Sequence, residues 1–176
     1  MTTAHVQEPA LLRAIDASDL DNLHRWHNDP ELYKTLGSSF RYVSLAAEEK
    51  WLQARLAYTV SEVYLAVCDR MTGAMVGYTS LRAIEWLSRH AEFHLVIGDV
   101  ASRGKGYGAS AARQMLAHSF GDLGLHRLWL EVLASNTAAI ATYQKCGFKE
   151  EGRLSQHVFK DGSHVDVLIM GILAPK

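Results

Sequence analysis

Apolar and polar positions recur along this chain with two periods, and the switches between them mark out strands and helices. Leu11 to Ile15 reads as a first strand, and Asp16 to Asp19 then supply capping side chains. Leu20, Leu23, His24, Trp26 and His27 recur at helical spacing, and Pro30 stops that helix before it. Ser44, followed by Ala47 and Glu48, opens a longer helix with Trp51, Leu52, Arg55 and Leu56 at helical intervals. Val63 to Cys68 is an apolar, β-branched run, Asp69 to Gly73 a turn, and Ala74 to Ile84 the returning strand of a hairpin. Ala91 to Gly98 predicts a further strand, and Gly106 to Phe120 an alanine-rich helix. Leu125 to Leu133 reads as a strand and Thr137 to Lys145 as a helix. Phe148 to Phe159 and His164 to Ile172 then pair around Lys160-Asp161-Gly162.

The order β-α-α-β-β-β-α-β-α-β-β predicts an α+β fold. Its centre is a mixed, mostly antiparallel sheet of about seven strands, flanked by about four helices. Neither a repeat nor a Pro/Gly/Ser-rich linker interrupts residues 1–176, so one domain is expected. Apolar residues make up 48% and charged residues 21%, as in ordinary globular proteins. The net charge of -1 speaks against a nucleic-acid binder, which carries a basic face or tail. Two cysteines without a CxxC pair argue against a thiolate zinc site. The first residues lack the basic and apolar segments of a signal peptide, and no run approaches the length of a membrane span. These features together predict a cytoplasmic protein with neither membrane nor nucleic-acid partners.

The chemistry concentrates where a strand ends and a helix begins. Glu92 to Gly98 leads through Asp99 to Ser102 into Arg103-Gly104-Lys105-Gly106-Tyr107-Gly108. The first amides of a helix have no internal partners, and the helix dipole adds positive potential there. Gly104, Gly106 and Gly108 let backbone approach an anion closely, and Arg103 and Lys105 add charge. Read alone, such glycines also serve a simple tight turn. The spacing is not that of a P-loop, and no βαβ unit precedes it as a dinucleotide fold requires.

Arg103-Gly-Lys-Gly106-Tyr-Gly108 resembles the Arg/Gln-x-x-Gly-x-Gly/Ala loop of the GNAT acetyltransferase superfamily. Leu128 to Asn136, followed by Ala139 to Phe148 with Tyr143 and Gly147, is similar to that family's strand, asparagine, helix and Gly-Phe ending. The tail from Glu150 to the last strand resembles the branch that acetylates ribosomal-protein N-termini, spermidine and nucleotide-linked amino sugars. The resemblance implies direct transfer of acetyl from acetyl-CoA to a primary amine, without a metal. It places the pantetheine arm on the backbone of Val96, Ile97 and Gly98, and the pyrophosphate on Arg103 through Gly108. Asn136 gains a contact to the arm beside its expected role as a helix cap. It makes Tyr143 the acid that protonates the leaving thiolate and Glu92 a base, with Glu85, His94 or solvent as alternatives.

Other features stay open at this level. His24 with His27, and His90 with His94, share element faces, but no third ligand is set by spacing, so no metal is expected. Trp26, Trp51, Trp86 and Tyr42 line an acceptor pocket or pack the core. Asp16, Asp19, Asp21, Asp29 and Glu31 suit a polyamine and equally well serve as caps. Trp26, Arg41 and Tyr42 suit an amino sugar; an aminoglycoside or a protein N-terminus is a further alternative. A second class of reading is a CoA-binding sensor that has lost turnover. A homodimer through a sheet edge or the last hairpin is also left open.

Overall fold

The computed structural model describes residues 8–175. Seven strands form one sheet, β1 (Ala10–Ala14), β2 (Val63–Asp69), β3 (Met75–Glu85), β4 (His90–Val96), β5 (Arg127–Leu133), β6 (Lys149–Lys160) and β7 (Ser163–Leu173), in the spatial order β1-β2-β3-β4-β5-β7-β6. All neighbours are antiparallel except β4 and β5. The helices are α1 (Leu20–His27), α2 (Pro30–Tyr33), α3 (Leu45–Leu56), α4 (Tyr107–Ala117) and α5 (Thr137–Lys145). The predicted α+β class and mostly antiparallel seven-stranded sheet agree with this architecture. The one-turn α2, opened by Pro30 and capped by the Asp29 carboxylate, went unread because four residues are too few to show a period. The helix expected to reach Phe120 stops at Ala117, and His118 to Asp122 form a wider π turn.

Alternation along the strands gives the sheet two different faces. Leu81, Phe93, Leu128 and Leu130 point to the α4–α5 side, where they join Met115, Tyr143 and Phe148 in the main core. Each fully buried Leu or Phe contributes about 1.5–3 kcal/mol. On the other face, Ala66, Cys68 and Val96 pack against Leu23, Trp26 and Leu52 of α1 and α3.

The sheet opens at its centre. β4 and β5 pair only through His90↔Arg127, Ala91↔Leu128 and Glu92↔Trp129. Beyond Glu92, β4 stays with β3 as far as Val96, while β5 stays with β7 as far as Leu133. The two strands therefore diverge, and backbone on both sides of the gap is left without a ladder partner.

Candidate active site

A cavity of about 1110 Å³ passes through this gap. One end lies at the start of α4 and the other between the sheet and α3. Its volume lies just above the ~300–1,000 Å³ common for small-molecule sites.

At the α4 end, Gly104 and Gly106 have φ of 74° and 87°, a left-handed conformation that favours glycine. A Cβ at Gly104 would meet nothing within 4 Å, so open space stands over the loop. Ser110 is the first residue to donate back, to the Gly106 carbonyl at 3.0 Å, which leaves the preceding helical amides without intrahelical partners. Arg103, Gly104, Gly106, Tyr107 and Gly108 line the cavity, together with Val96 and Ile97 of the diverging strand end. This cradle suits an anionic, elongated cosubstrate.

Four candidates at this end are placed differently. Gly98 is not in the cavity wall; a Cβ there would lie 2.1 Å from the Trp26 ring, so this glycine makes room for Trp26. Lys105 is exposed beside the loop and does not line the cavity. Tyr107 turns its hydroxyl away, to the Asp69 carboxylate in the β2–β3 turn, and so ties the loop to the sheet. Arg103 folds back, donating from Nε to the Ile97 carbonyl at 3.1 Å and from Nη2 to that of Gly98 at 3.3 Å.

In the gap, Tyr143 is 8% exposed and packs against the rings of Phe93 and Phe148. Its hydroxyl has no hydrogen bond among the described residues, and the residue borders the cavity. Burial pushes the phenol well above the ordinary tyrosine range, so it holds its proton at neutral pH. Asn136 caps α5 by accepting from the Ala139 amide at 3.1 Å and donates to the Thr35 carbonyl at 3.0 Å. It also borders the cavity.

On the α3 side, Glu92 Oε1 lies 2.8 Å from His94 Nε2, and Oε2 accepts from Arg82 Nη2 at 3.3 Å. Arg82 Nη2 touches His94 Nε2 as well. The His94 contact, reinforced by Arg82, outweighs partial burial and holds the Glu92 carboxyl below the usual carboxylate range. Glu92 is thus an ionised, well-partnered group and a weak proton acceptor. Glu85 caps the exposed turn at Leu87 and lies off the cavity.

Spacing gave no sign of a third polar chain. His27 Nδ1 meets both carboxylate oxygens of buried Glu48 at 2.9 Å, and its Nε2 meets the Tyr78 hydroxyl at 3.1 Å. His27 and Glu48 lie 21 residues apart on two helices, so only the packing of α1 on α3 reveals them. His24 is taken up by the Val43 carbonyl, and no group of three or more potential metal ligands converges among the described residues.

The aromatic set also divides. Trp51 borders the cavity, whereas Trp26 is buried core and Trp86 and Tyr42 are exposed elsewhere. Asp16, Asp19, Asp29 and Glu31 act as caps and ion-pair partners outside the cavity.

Residues 10–149 match the Acetyltransferase (GNAT) domain family. The chain belongs to the GNAT acetyltransferases. It is 31% identical over 165 residues to a spermidine N(1)-acetyltransferase of Vibrio cholerae, covering 94% of this chain and 93% of that protein. An L-amino acid N-acetyltransferase of Escherichia coli is 26% identical, covering 91% of this chain and 95% of that one. The solved structure of a Vibrio cholerae spermidine N-acetyltransferase in complex with CoA and spermine superposes with a TM-score of 0.86 at 30% identity, covering 94% of this chain and 95% of that one. The GNAT chain described here is an acetyl-CoA-dependent N-acetyltransferase acting on an amine. No helix among the described residues is long and apolar enough to cross a membrane.

Proposed function

We propose that residues 1–176 form a single acetyltransferase domain that moves acetyl directly from acetyl-CoA to a primary amine of a small molecule, with both substrates meeting in the β4–β5 gap. The divergence after Glu92 carries the reading, because it frees strand backbone for the amides of a pantetheine arm, in the manner of an added strand. Val96 and Ile97 offer that backbone, and the amides of Gly104 to Gly108 receive the pyrophosphate. Arg103 and Lys105 add charge at the loop, and Asn136 flanks the arm.

Tyr143 is the acid. As the amine nitrogen bonds to the thioester carbon and the C–S bond breaks, the sulfur takes the phenolic proton, and the surplus proton shed by the nitrogen as it becomes an amide returns to the phenolate. The burial that raises the phenol also raises the proton affinity of a thiolate formed beside it, which keeps the transfer feasible.

An aliphatic ammonium must lose a proton before it attacks. Glu92 serves here through His94: its carboxylate, 2.8 Å from Nε2, stabilises the imidazolium that forms when the ring takes up that proton. Glu92 is then the positioning partner and His94 the base.

Similarity to a spermidine acetyltransferase supports a polyamine acceptor, and similarity to an amino-acid acetyltransferase supports a shorter, zwitterionic one. Thiol release from acetyl-CoA with a panel of primary amines, alongside calorimetric CoA binding, tests the reading. Binding and amine-dependent release are expected. Binding without release on any amine would favour the CoA sensor, and no binding would overturn the site.

A further inference from the structure

We infer that the acceptor carries an oxyanion, a carboxylate or a phosphate, remote from its amine, and that Arg55 binds it at the α3 end of the cavity. The inference rests on the acetyl-transfer reading above and names the substrate class of that site.

Three carboxylates border the cavity, Glu48, Glu92 and Glu131. Glu48 has both oxygens on His27, and Glu92 divides its oxygens between His94 and Arg82. Only Glu131, exposed on β5, makes no ion pair or hydrogen bond among the described residues. A polycation threading toward α3 would therefore have to displace existing partners to find counter-charge. The acids of the first helices that suit a polyamine are spent as caps and ion pairs outside the cavity.

The free charge at the α3 end is positive. Arg55 lies over the Trp51 ring at 4.3 Å and near the Tyr64 ring at 5.1 Å. It donates from Nη1 to the Trp51 carbonyl at 3.1 Å, and no carboxylate lies within 4.0 Å of it among the described residues. Its Nη2 makes no hydrogen bond or ion pair among the described residues and is left for a bound oxyanion, while its Nε is buried without a partner. Stacking holds the planar guanidinium in place, so little freedom is lost when it grips a planar oxyanion. Arg82 contributes only Nη2 to Glu92 and lies between Arg55 and the gap.

The span follows from the sheet. Arg55 stands over Tyr64 of β2, while the gap opens beyond β4. Two to three strand spacings separate them, about 10–14 Å. An acceptor with its amine in the gap and an oxyanion at that distance fits; a second ammonium there would face Arg55.

Four matched primary amines test this: 8-aminooctanoate, 8-aminooctyl phosphate, 1,8-diaminooctane and octylamine. One or both anionic acceptors are expected to exceed the diamine at least about tenfold in kcat/KM, the scale of a charge-assisted hydrogen bond. The better of the two identifies the oxyanion. Arg55→Gln should raise KM for it by about 10- to 100-fold with kcat nearly unchanged, and Arg55→Lys should recover part of the loss. Octylamine turnover and acetyl-CoA binding should stay at wild-type values in both variants. A diamine preferred over both anions, or an Arg55→Gln variant indifferent to the anion, would overturn the inference alone. Silence with all four amines would overturn the acetyl-transfer reading beneath it. Should Arg55→Gln fail to fold, the selectivity of the unaltered enzyme decides.

Discussion

The two ends of the cavity are built on different logic. At the α4 end, contiguous residues do the work: a strand runs out at Val96, a loop turns through left-handed glycines, and a helix starts. At the α3 end, the lining comes from α1, α2 and the loop after it, α3 and three strands, and its polar groups pair over long sequence separations. A cosubstrate shared by a whole superfamily suits a local backbone cradle, which depends little on side-chain identity. An acceptor that differs between relatives is read by side chains, each set by tertiary packing.

Tyr143, midway between the ends, gives the largest expected effect. Tyr143→Phe removes only the hydroxyl from a ring already held by Phe93 and Phe148. We expect kcat to fall about 10²- to 10⁴-fold, the usual weight of a positioned proton donor. Acetyl-CoA affinity by calorimetry should change less than about twofold, because the ring packing survives. Parallel loss of affinity and turnover would mean that Tyr143 shapes the arm-binding wall instead.

Two glycines sharpen the contrast. Gly106, with φ of 87°, has only the distant Pro9 ring within 4 Å of a built Cβ. Gly106→Val should raise the acetyl-CoA Kd by about 10- to 100-fold through backbone strain and a blocked phosphate approach. Gly98→Ala instead drives a methyl into the Trp26 ring. It should cost about 1–3 kcal/mol of stability by overpacking, with cofactor affinity following only as α1 shifts. Urea unfolding and calorimetry on both variants separate the roles. Equal affinity losses at unchanged stability would restore Gly98 to the cofactor wall.

That pair also shows what the sequence disclosed. Strand and helix periods located the elements closely, and Thr137–Lys145 was read to the residue because an asparagine cap and a Gly-Phe end bracket it. The glycine loop was legible because its meaning is local. Gly98 was read only for its backbone, and its second role, making room for the Trp26 ring, was hidden because a glycine that avoids a ring is indistinguishable, in one dimension, from one that avoids a ligand. Arg55, His27 and Glu48 showed in the sequence only as helix positions, with no sign of what they meet: their partners are set by how α1 and α3 lie on the sheet. The splitting of the aromatic set, with Trp51 alone at the cavity, has the same cause.

The smallest expected effect concerns the joint between the cofactor loop and the sheet. The Tyr107 hydroxyl donates to Asp69 in the β2–β3 turn, where Thr72 and the Met71 amide also donate. These bonds, that from Tyr107 foremost, lower the Asp69 carboxyl to about 2. A carboxyl depressed by folding adds stability above its unfolded value, and that contribution fades as pH falls through the folded value. In Tyr107→Phe the remaining donors still hold Asp69, so only part of the depression is lost. The Tm deficit of the variant should therefore be a few degrees and constant between pH 5 and 7, then narrow from about pH 4 toward pH 2. Because the hydroxyl ties the first residue of α4 to the sheet, acetyl-CoA affinity should drop about two- to fivefold at neutral pH. A deficit independent of pH down to 2 would assign Tyr107 to ring packing alone. An unchanged cofactor affinity would show that the glycine loop keeps its shape without this anchor, and the α4 end would then be still more local than the α3 end.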